Sequence, residues 1–200
     1  MMAYRRGLVA FFIAILWTLP GCIDPPTSPY VDVRDTVTRI DESRPAAEQG
    51  SAEEQYNLGL QYERALPQDH REAVRWYRMA ATQRHAGAFY RLCVLSDLGR
   101  GLPQDYQEAL RWCRLAADQR HGAAMFLIAT YYDKARGVPK DVVQAYQWYN
   151  LAAANGYEAG AKWRDRLARG MTPTQIAKAQ FLARNWKPKA EEPALEDEPS

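Results

Sequence analysis

Cysteine and histidine are scarce in this sequence, which has three residues of each among 200. Cys22, Cys93 and Cys113 lie far apart, which excludes a disulfide-rich mini-protein and a structural zinc site with four ligands. The signatures of common catalytic sites are also missing. There is no Gly-rich phosphate loop ending in Gly-Lys-Ser/Thr, no His-Glu-x-x-His, no Gly-x-Ser-x-Gly and no Ser-x-x-Lys. We therefore expect a protein that is not an enzyme and that binds no metal or cofactor.

The charge of the chain is balanced. Its 26 Lys and Arg residues and 24 Asp and Glu residues leave a formal net charge of +2. The only bases before Cys22 are Arg5 and Arg6, and no acid precedes it, so a chain that starts at Cys22 has 26 − 2 = 24 bases and 24 acids. A neutral chain with interspersed charges argues against a nucleic-acid partner.

The first 21 residues have the features of a bacterial lipoprotein signal peptide. Arg5 and Arg6 precede an apolar run over residues 8–19, which is too short to span a bilayer. The run ends in Leu19-Pro20-Gly21-Cys22, which resembles the lipobox, the motif whose cysteine becomes the lipidated first residue of the mature protein. We expect cleavage after residue 21 and lipidation of Cys22. The alternative is an ordinary signal peptide that is cut nearby, with Cys22 unmodified.

The resemblance to lipoproteins implies a place in the cell envelope of a Gram-negative bacterium, on the periplasmic side. Ile23 follows the cysteine where Asp would favour the inner membrane, so the outer membrane is the expected site. Residues 22–45 are rich in proline and poor in large apolar side chains, and we expect a flexible linker outside the core. Pro45 argues against a complete helix in this segment. Residues 187–200, with three prolines and five acids, are expected to form a disordered acidic tail.

The middle of the chain is an internal repeat. Trp76, Trp112 and Trp148 are 36 residues apart, and several Pro, Asp and Ala residues recur at the same interval. A period in the mid-thirties predicts an all-α solenoid built from helical hairpins. We place the solenoid at residues 46–186, with units at about 52–85, 86–121 and 122–157 and a cap at 158–186.

Each unit is expected to form two antiparallel helices. In the second unit, a helix over 88–98 ends at Gly99, which suits the left-handed residue past a helix end. Asp105 then caps the second helix, with Glu108 three residues further on. Small residues mark the expected tight helix crossings: Ala73 against Gly59, Ala109 against Cys93, and Ala145 against Ala129.

The repeat pattern resembles a known family. The residues that carry the resemblance in the third unit are Ala124 to Ile128, Tyr132, Gly137-Val138-Pro139, Asp141, Ala145, Trp148-Tyr149 and Ala152-Ala153. With three copies in register over 52–157, the chain resembles Sel-1-like repeat proteins, which are relatives of the tetratricopeptide repeat. The resemblance implies a right-handed α-solenoid that serves as a protein–protein interaction scaffold. Some cysteine-rich relatives are associated with β-lactams, so the alternative is a β-lactam- or peptidoglycan-related binding protein or hydrolase.

A disulfide between Cys93 and Cys113 is one expectation. Lipidation of Cys22 would leave an even pair of thiols in an oxidising compartment. The two cysteines fall at similar heights on one predicted hairpin, and cysteine-rich relatives staple their hairpins in a similar way. The alternative is two separate buried thiols.

The resemblance to tetratricopeptide arrays also suggests where a partner binds. The first helices should line a concave groove, with Tyr56, Tyr90 and Phe126 in equivalent positions. Further along the same face come Glu63 and Arg64, Asp97 and Leu98, and Asp133 and Lys134. We expect this face to bind an unidentified envelope protein or peptide, whereas the membrane is contacted through the lipid anchor only. The alternative is that the aromatic residues pack between hairpins.

Three further rows follow the repeat. His85 and His121 are interpreted as turn residues, and the tryptophans as packing between units. The basic row on the second helices is interpreted as a solvated face: Arg75, Arg78, Arg111 and Arg114.

Overall fold

Nine α-helices and no strand make up the part of the chain that this computed structural model describes, residues 33–65 and 68–189. Side chains are described from residue 38 onward within these ranges. Among these residues, no helix is long and apolar enough to cross a membrane. The helices are α1 Val33–Gln49, α2 Ala52–Arg64, α3 His70–Thr82, α4 Ala86–Leu98, α5 Tyr106–Asp118, α6 Gly122–Lys134, α7 Val142–Ala154, α8 Ala159–Ala168 and α9 Pro173–Asn185.

The three predicted hairpins are α2–α3, α4–α5 and α6–α7, and the predicted all-α solenoid is confirmed. Each second helix starts at a capping aspartate: Asp69, Asp105 or Asp141. In the second unit, the Asp105 carboxylate accepts the backbone N–H groups of Gln107 at 2.8 Å and Glu108 at 3.0 Å. These bonds satisfy N–H groups that have no partner inside the helix. The predicted signal peptide and Cys22 lie outside the described residues.

Small residues allow the two helices of each hairpin to approach closely. An added Cβ at Gly59 would lie 2.6 Å from the Tyr77 ring, so only glycine fits beneath this tyrosine. In the second unit the equivalent residues are Cys93 and Cys113, which form a disulfide with their Cα atoms 5.3 Å apart. The first and second units thus join the same two positions by different means, a ring over a glycine in one and a covalent bond in the other.

The structure corrects the predicted linker. Helix α1 runs from Val33 to Gln49 with Pro45 inside it, although residues 22–45 were expected to be flexible and outside the core. Its Ile40 and Ala47 are buried, at 7% and 0% exposure, and they lie 34 residues before Val74 and Ala81 of α3. The prediction was wrong for residues 33–45, because Ile40 is buried at a repeat position and Pro45 lies on the exposed side of the helix. Ala47 lies within the predicted solenoid at 46–186, and residues 22–32 lie outside the described residues.

Helix α1 therefore occupies the place of a second helix in the repeat register. The positions that correspond to Trp76 and Tyr77 of α3 hold Glu42 and Ser43. Polar residues at these positions are typical of a terminal repeat, whose outer face is polar. Arg44 fixes the docking by donating to the Tyr62 hydroxyl at 2.6 Å.

At the other end, α8 and α9 both pack on α7. Helix α9, in the predicted cap at 158–186, begins with a capping box in which Thr172 and Gln175 exchange hydrogen bonds. Ala179 and Ala183 of α9 are buried. The predicted tail starts too early at 187, because the Lys189 backbone N–H donates to the Asp118 carboxylate at 3.0 Å. Residues 190–200 lie outside the described residues.

Replacing Cys93 and Cys113 by alanine should lower the free energy of unfolding by about 2–4 kcal/mol, because the cross-link across 20 residues is lost. Cys93→Ala with Cys113→Tyr recreates the Ala129 and Tyr149 residues of the third unit. This variant should recover part of the loss through burial of the ring. Denaturant unfolding of the oxidised parent and both variants gives the comparison. Equal stability of parent and double-alanine variant, or a tyrosine variant below the double-alanine one, contradicts this account.

Candidate partner-binding face

Six rings cross the three unit boundaries on the first-helix side of the solenoid. In each case, an aromatic residue of one first helix packs on a ring at the start of the next first helix. The ring centroids are 4.5 Å apart for Tyr56 and His85, 4.6 Å for Tyr90 and His121, and 5.0 Å for Phe126 and Tyr157. We call these six residues the aromatic strip.

The capping of each first helix holds one side of the strip in place. His85 and His121 are N-cap residues, and their Nδ1 atoms accept the backbone N–H groups of Ala88 at 3.1 Å and Ala124 at 3.3 Å. An imidazole that accepts at Nδ1 has little freedom to turn, so it offers a fixed surface to the preceding ring. The two histidines do lie at turns between units, and the structure adds a stacking contact that sequence reasoning missed.

The first-helix rings of the strip pack between units and remain partly accessible to solvent. Tyr56, Tyr90 and Phe126 are each neither fully buried nor fully exposed. Burial raises the pKa of the Tyr90 hydroxyl, so the phenol remains protonated at neutral pH. The two alternatives drawn from the sequence are therefore compatible, because a ring that packs between units on one side can still contact a partner on the other.

The acids that flank the strip are engaged within the solenoid. Glu63 accepts a hydrogen bond from the Tyr77 hydroxyl at 2.7 Å and pairs with Arg91 of the next unit at 3.5 Å. Asp97 pairs with Arg136 of the next unit at 3.8 Å. The Glu63 and Asp97 side chains are only 18% and 15% exposed. Their charges hold neighbouring units together and are not open rim charges.

The third acid and the remaining predicted positions lie at the ends of the first helices. Asp133 pairs with the adjacent Lys134 at 3.2 Å and is itself 12% exposed. Arg64, Leu98 and Lys134 are exposed, and Leu98 has 49% of its surface accessible. The accessible part of the predicted site thus consists of half-buried rings beside one leucine and two bases.

Sequence reasoning did not find Arg91. The equivalent residues are Asn57 and Leu127, so Arg91 has no counterpart in the other units and produces no periodic signal. The sequence did carry a signal for these rings, since His85, His121 and Tyr157 occupy the same repeat position. The signal was missed because the two histidines were interpreted only as turn residues.

The tryptophans were expected to pack between units, whereas the stacking contact of Trp112 lies within its own unit. Trp76 and Trp148 are buried at 3% and 8% exposure, and Trp112 stacks on Phe89 with centroids 5.9 Å apart.

The basic row on the second helices borders an open depression of about 500 Å³. Arg111 pairs with Glu108, and Arg114 donates to the Tyr132 hydroxyl at 2.9 Å. Charges of both signs line this surface, which fits a solvated face. Within 33–65 and 68–189, no group of three or more His, Cys, Asp or Glu residues is arranged to hold a metal ion.

The stability of the protein should fall as the pH drops below about 6.5, and part of this fall should come from His121. Burial, and then the nearby charges of Arg91 and His85, lower the pKa of His121 below its ordinary 6.5. The unfolded chain therefore takes up this proton first as the pH falls, so the stability from neutral His121 is complete above 6.5 and declines below it. His121→Asn keeps a capping acceptor that cannot titrate. Urea unfolding should show a smaller loss of stability on acidification in this variant, and equal losses contradict the assignment.

Comparisons with known proteins agree with this architecture. The model of the Sel1 repeat family matches residues 55–85, 88–121 and 122–157. One similar structure is that of c5321, a protective antigen present in uropathogenic Escherichia coli strains that displays an SLR fold. The two structures match with a TM-score of 0.69 and 33% sequence identity, over 72% of this chain and 32% of that chain. Another is a Sel1 repeat protein from Oxalobacter formigenes, with a TM-score of 0.63 and 29% identity over 76% of this chain and 64% of that chain. The chain thus spans less than two thirds of either protein. No curated protein sequence matches it.

Proposed function

Because the chain belongs to the Sel1 repeat family, whose repeats generally mediate protein–protein interaction, we propose that it is a non-enzymatic scaffold that binds a partner along the aromatic strip. One observation carries the proposal: the strip continues across all three unit boundaries with rings that are ordered but still partly accessible. An extended segment or a helix of a partner can contact several units at once on such a surface.

The chemistry of the strip suits this role. Aromatic rings contribute large contact areas and lose little rotamer freedom, which makes them effective anchors. The rings are already held by stacking and by the histidine caps, so the entropy cost of ordering them on binding is small. Glu63 and Asp97 are neutralised by Arg91 and Arg136, and a partner therefore meets an aromatic surface with little net charge at its centre. Exposed Arg64 and Lys134 at the ends of the helices can orient it.

We place the scaffold on the periplasmic side of a Gram-negative envelope, attached through lipid on Cys22 and more consistent with the outer than the inner membrane. The lipobox-like Leu19-Pro20-Gly21-Cys22 supports the anchor, and Ile23 supports the outer membrane. The Cys93–Cys113 bond supports an oxidising compartment, since disulfides persist there and are rare in reducing ones.

Tyr90→Ala should weaken partner binding by more than about 1 kcal/mol, because it removes an anchor from the middle of the strip. The partner is identified by cross-linked capture from solubilised envelopes, and its affinity is then measured with the purified proteins. Arg78→Ala is a matched control, because Arg78 is exposed on α3 and lies outside the strip. It should leave the affinity unchanged.

Thermal melting separates binding from folding in this experiment. A Tyr90→Ala protein that melts within a few degrees of the parent and loses the partner supports the strip as the binding face. If Tyr90→Ala binds as tightly as the parent, or Arg78→Ala loses binding equally, the assignment is wrong. Turnover of a chromogenic β-lactam by the purified chain would contradict the non-enzymatic function.

The mature N-terminus should be a lipid-modified Cys22. Mass spectrometry of the protein from the membrane fraction should show acyl chains on this residue, and Cys22→Ser should move the protein to the soluble fraction. A mature chain that starts at another residue, or an unmodified Cys22, rules the anchor out.

A further inference from the structure

The charged residues near the C-terminal end of the described solenoid are all basic. Between residues 166 and 189 there are six bases and no acid, in a chain that has 26 bases and 24 acids in total. Such a run is not needed for packing, because α9 docks on α7 through the buried Ala179 and Ala183. The bases are Arg166, Arg169, Lys178, Arg184, Lys187 and Lys189.

Two of these bases flank an exposed aromatic ring on the outer side of α9. Phe181 is 59% exposed, which is more than the other exposed large apolar residue of the described chain, Leu98 at 49%. Lys178 and Arg184 lie three residues before and after it, so all three side chains share the helix face opposite Ala179 and Ala183. Both bases are exposed, as is Lys187 after the helix end. We call Lys178, Phe181, Arg184 and Lys187 the basic cap face.

Within the described residues, Lys178 and Arg184 have no acidic partner. In the ranges 33–65 and 68–189, no carboxylate forms an ion pair with Lys178 or Arg184. Asp165, the last acid before the basic run, is paired with Arg164 at 2.8 Å. The acids that follow the run begin at Glu191 and lie outside the described residues. Within α9 itself, Asn185 donates to the Phe181 carbonyl at 2.8 Å, which keeps the last turn of the helix ordered.

We propose that the basic cap face docks on an anionic lipid surface. A helix that offers long basic side chains around one exposed ring matches the composition of interfacial membrane-binding helices. The bases attract anionic headgroups, and the ring inserts at the boundary between headgroups and acyl chains. The face is the exposed side of a single helix, which suits a fluid lipid surface better than one defined protein epitope. Neither the aromatic strip nor lipid on Cys22 takes part in this contact.

The test is vesicle co-sedimentation of the mature chain carrying Cys22→Ser, so that acyl chains cannot contribute. The parent should bind vesicles of about equal parts phosphatidylglycerol and phosphatidylcholine and should dissociate from them at high salt. It should not bind vesicles of phosphatidylcholine alone. Lys178→Gln with Arg184→Gln should weaken binding about 30-fold, since each base near an anionic surface contributes about 1 kcal/mol. Phe181→Ser should weaken it several-fold and should remove the part that resists salt.

A matched control is Arg75→Gln with Arg78→Gln, which removes the same two charges from the exposed side of α3. It should bind like the parent, and circular dichroism should give the same melting temperature for all four proteins. The proposal is overturned if the parent does not sediment with anionic vesicles at low salt. It is also overturned if the control loses as much binding as the α9 variant, or if an acidic peptide with the sequence of residues 190–200 binds the face while vesicles do not.

Discussion

The solenoid depends on how closely the two helices of each hairpin can approach. At one repeat position a small residue of the first helix lies under a large group of the second, as with Gly59 under the Tyr77 ring. In the second unit a disulfide joins the equivalent Cys93 and Cys113. This contact sets the spacing within each hairpin, and the buried alanines on both sides then pack without gaps.

The aromatic strip is a consequence of that stacking. Once the hairpins are held close, the start of each first helix lies against the first helix of the preceding unit, where Tyr56 meets His85 and Tyr90 meets His121. The same imidazoles cap their own helices, so each histidine side chain both starts the first helix of its unit and packs on the preceding unit. The residues proposed to bind a partner are therefore also residues that pack the units together.

In the described residues, the first and last helices of the array differ from the repeat in different ways. At the N-terminal end, α1 repeats the docking of a second helix but replaces the tryptophan and tyrosine of that position by Glu42 and Ser43. At the C-terminal end, α9 leaves the repeat register and lies on α7, with its apolar side inward and its bases outward. Neither solution is a copy of the repeat, because each must cover apolar surface on one side and meet solvent on the other.

The hairpins and the capping aspartates could be predicted from the sequence, because each recurs at a fixed interval and depends on contacts within one unit or its neighbour. Three of the six rings, Tyr56, Tyr90 and Phe126, were expected on this face from the resemblance to tetratricopeptide arrays. Helix α1 could not be predicted in full, because Pro45 and a weak apolar pattern hid the buried Ile40 in a helix that packs on α2. The pairing of Arg91 with Glu63, and the use of histidine both as cap and as stacking surface, were decided only by tertiary structure. They join residues from different units, and Arg91 occurs once, so no periodicity along the chain reveals it.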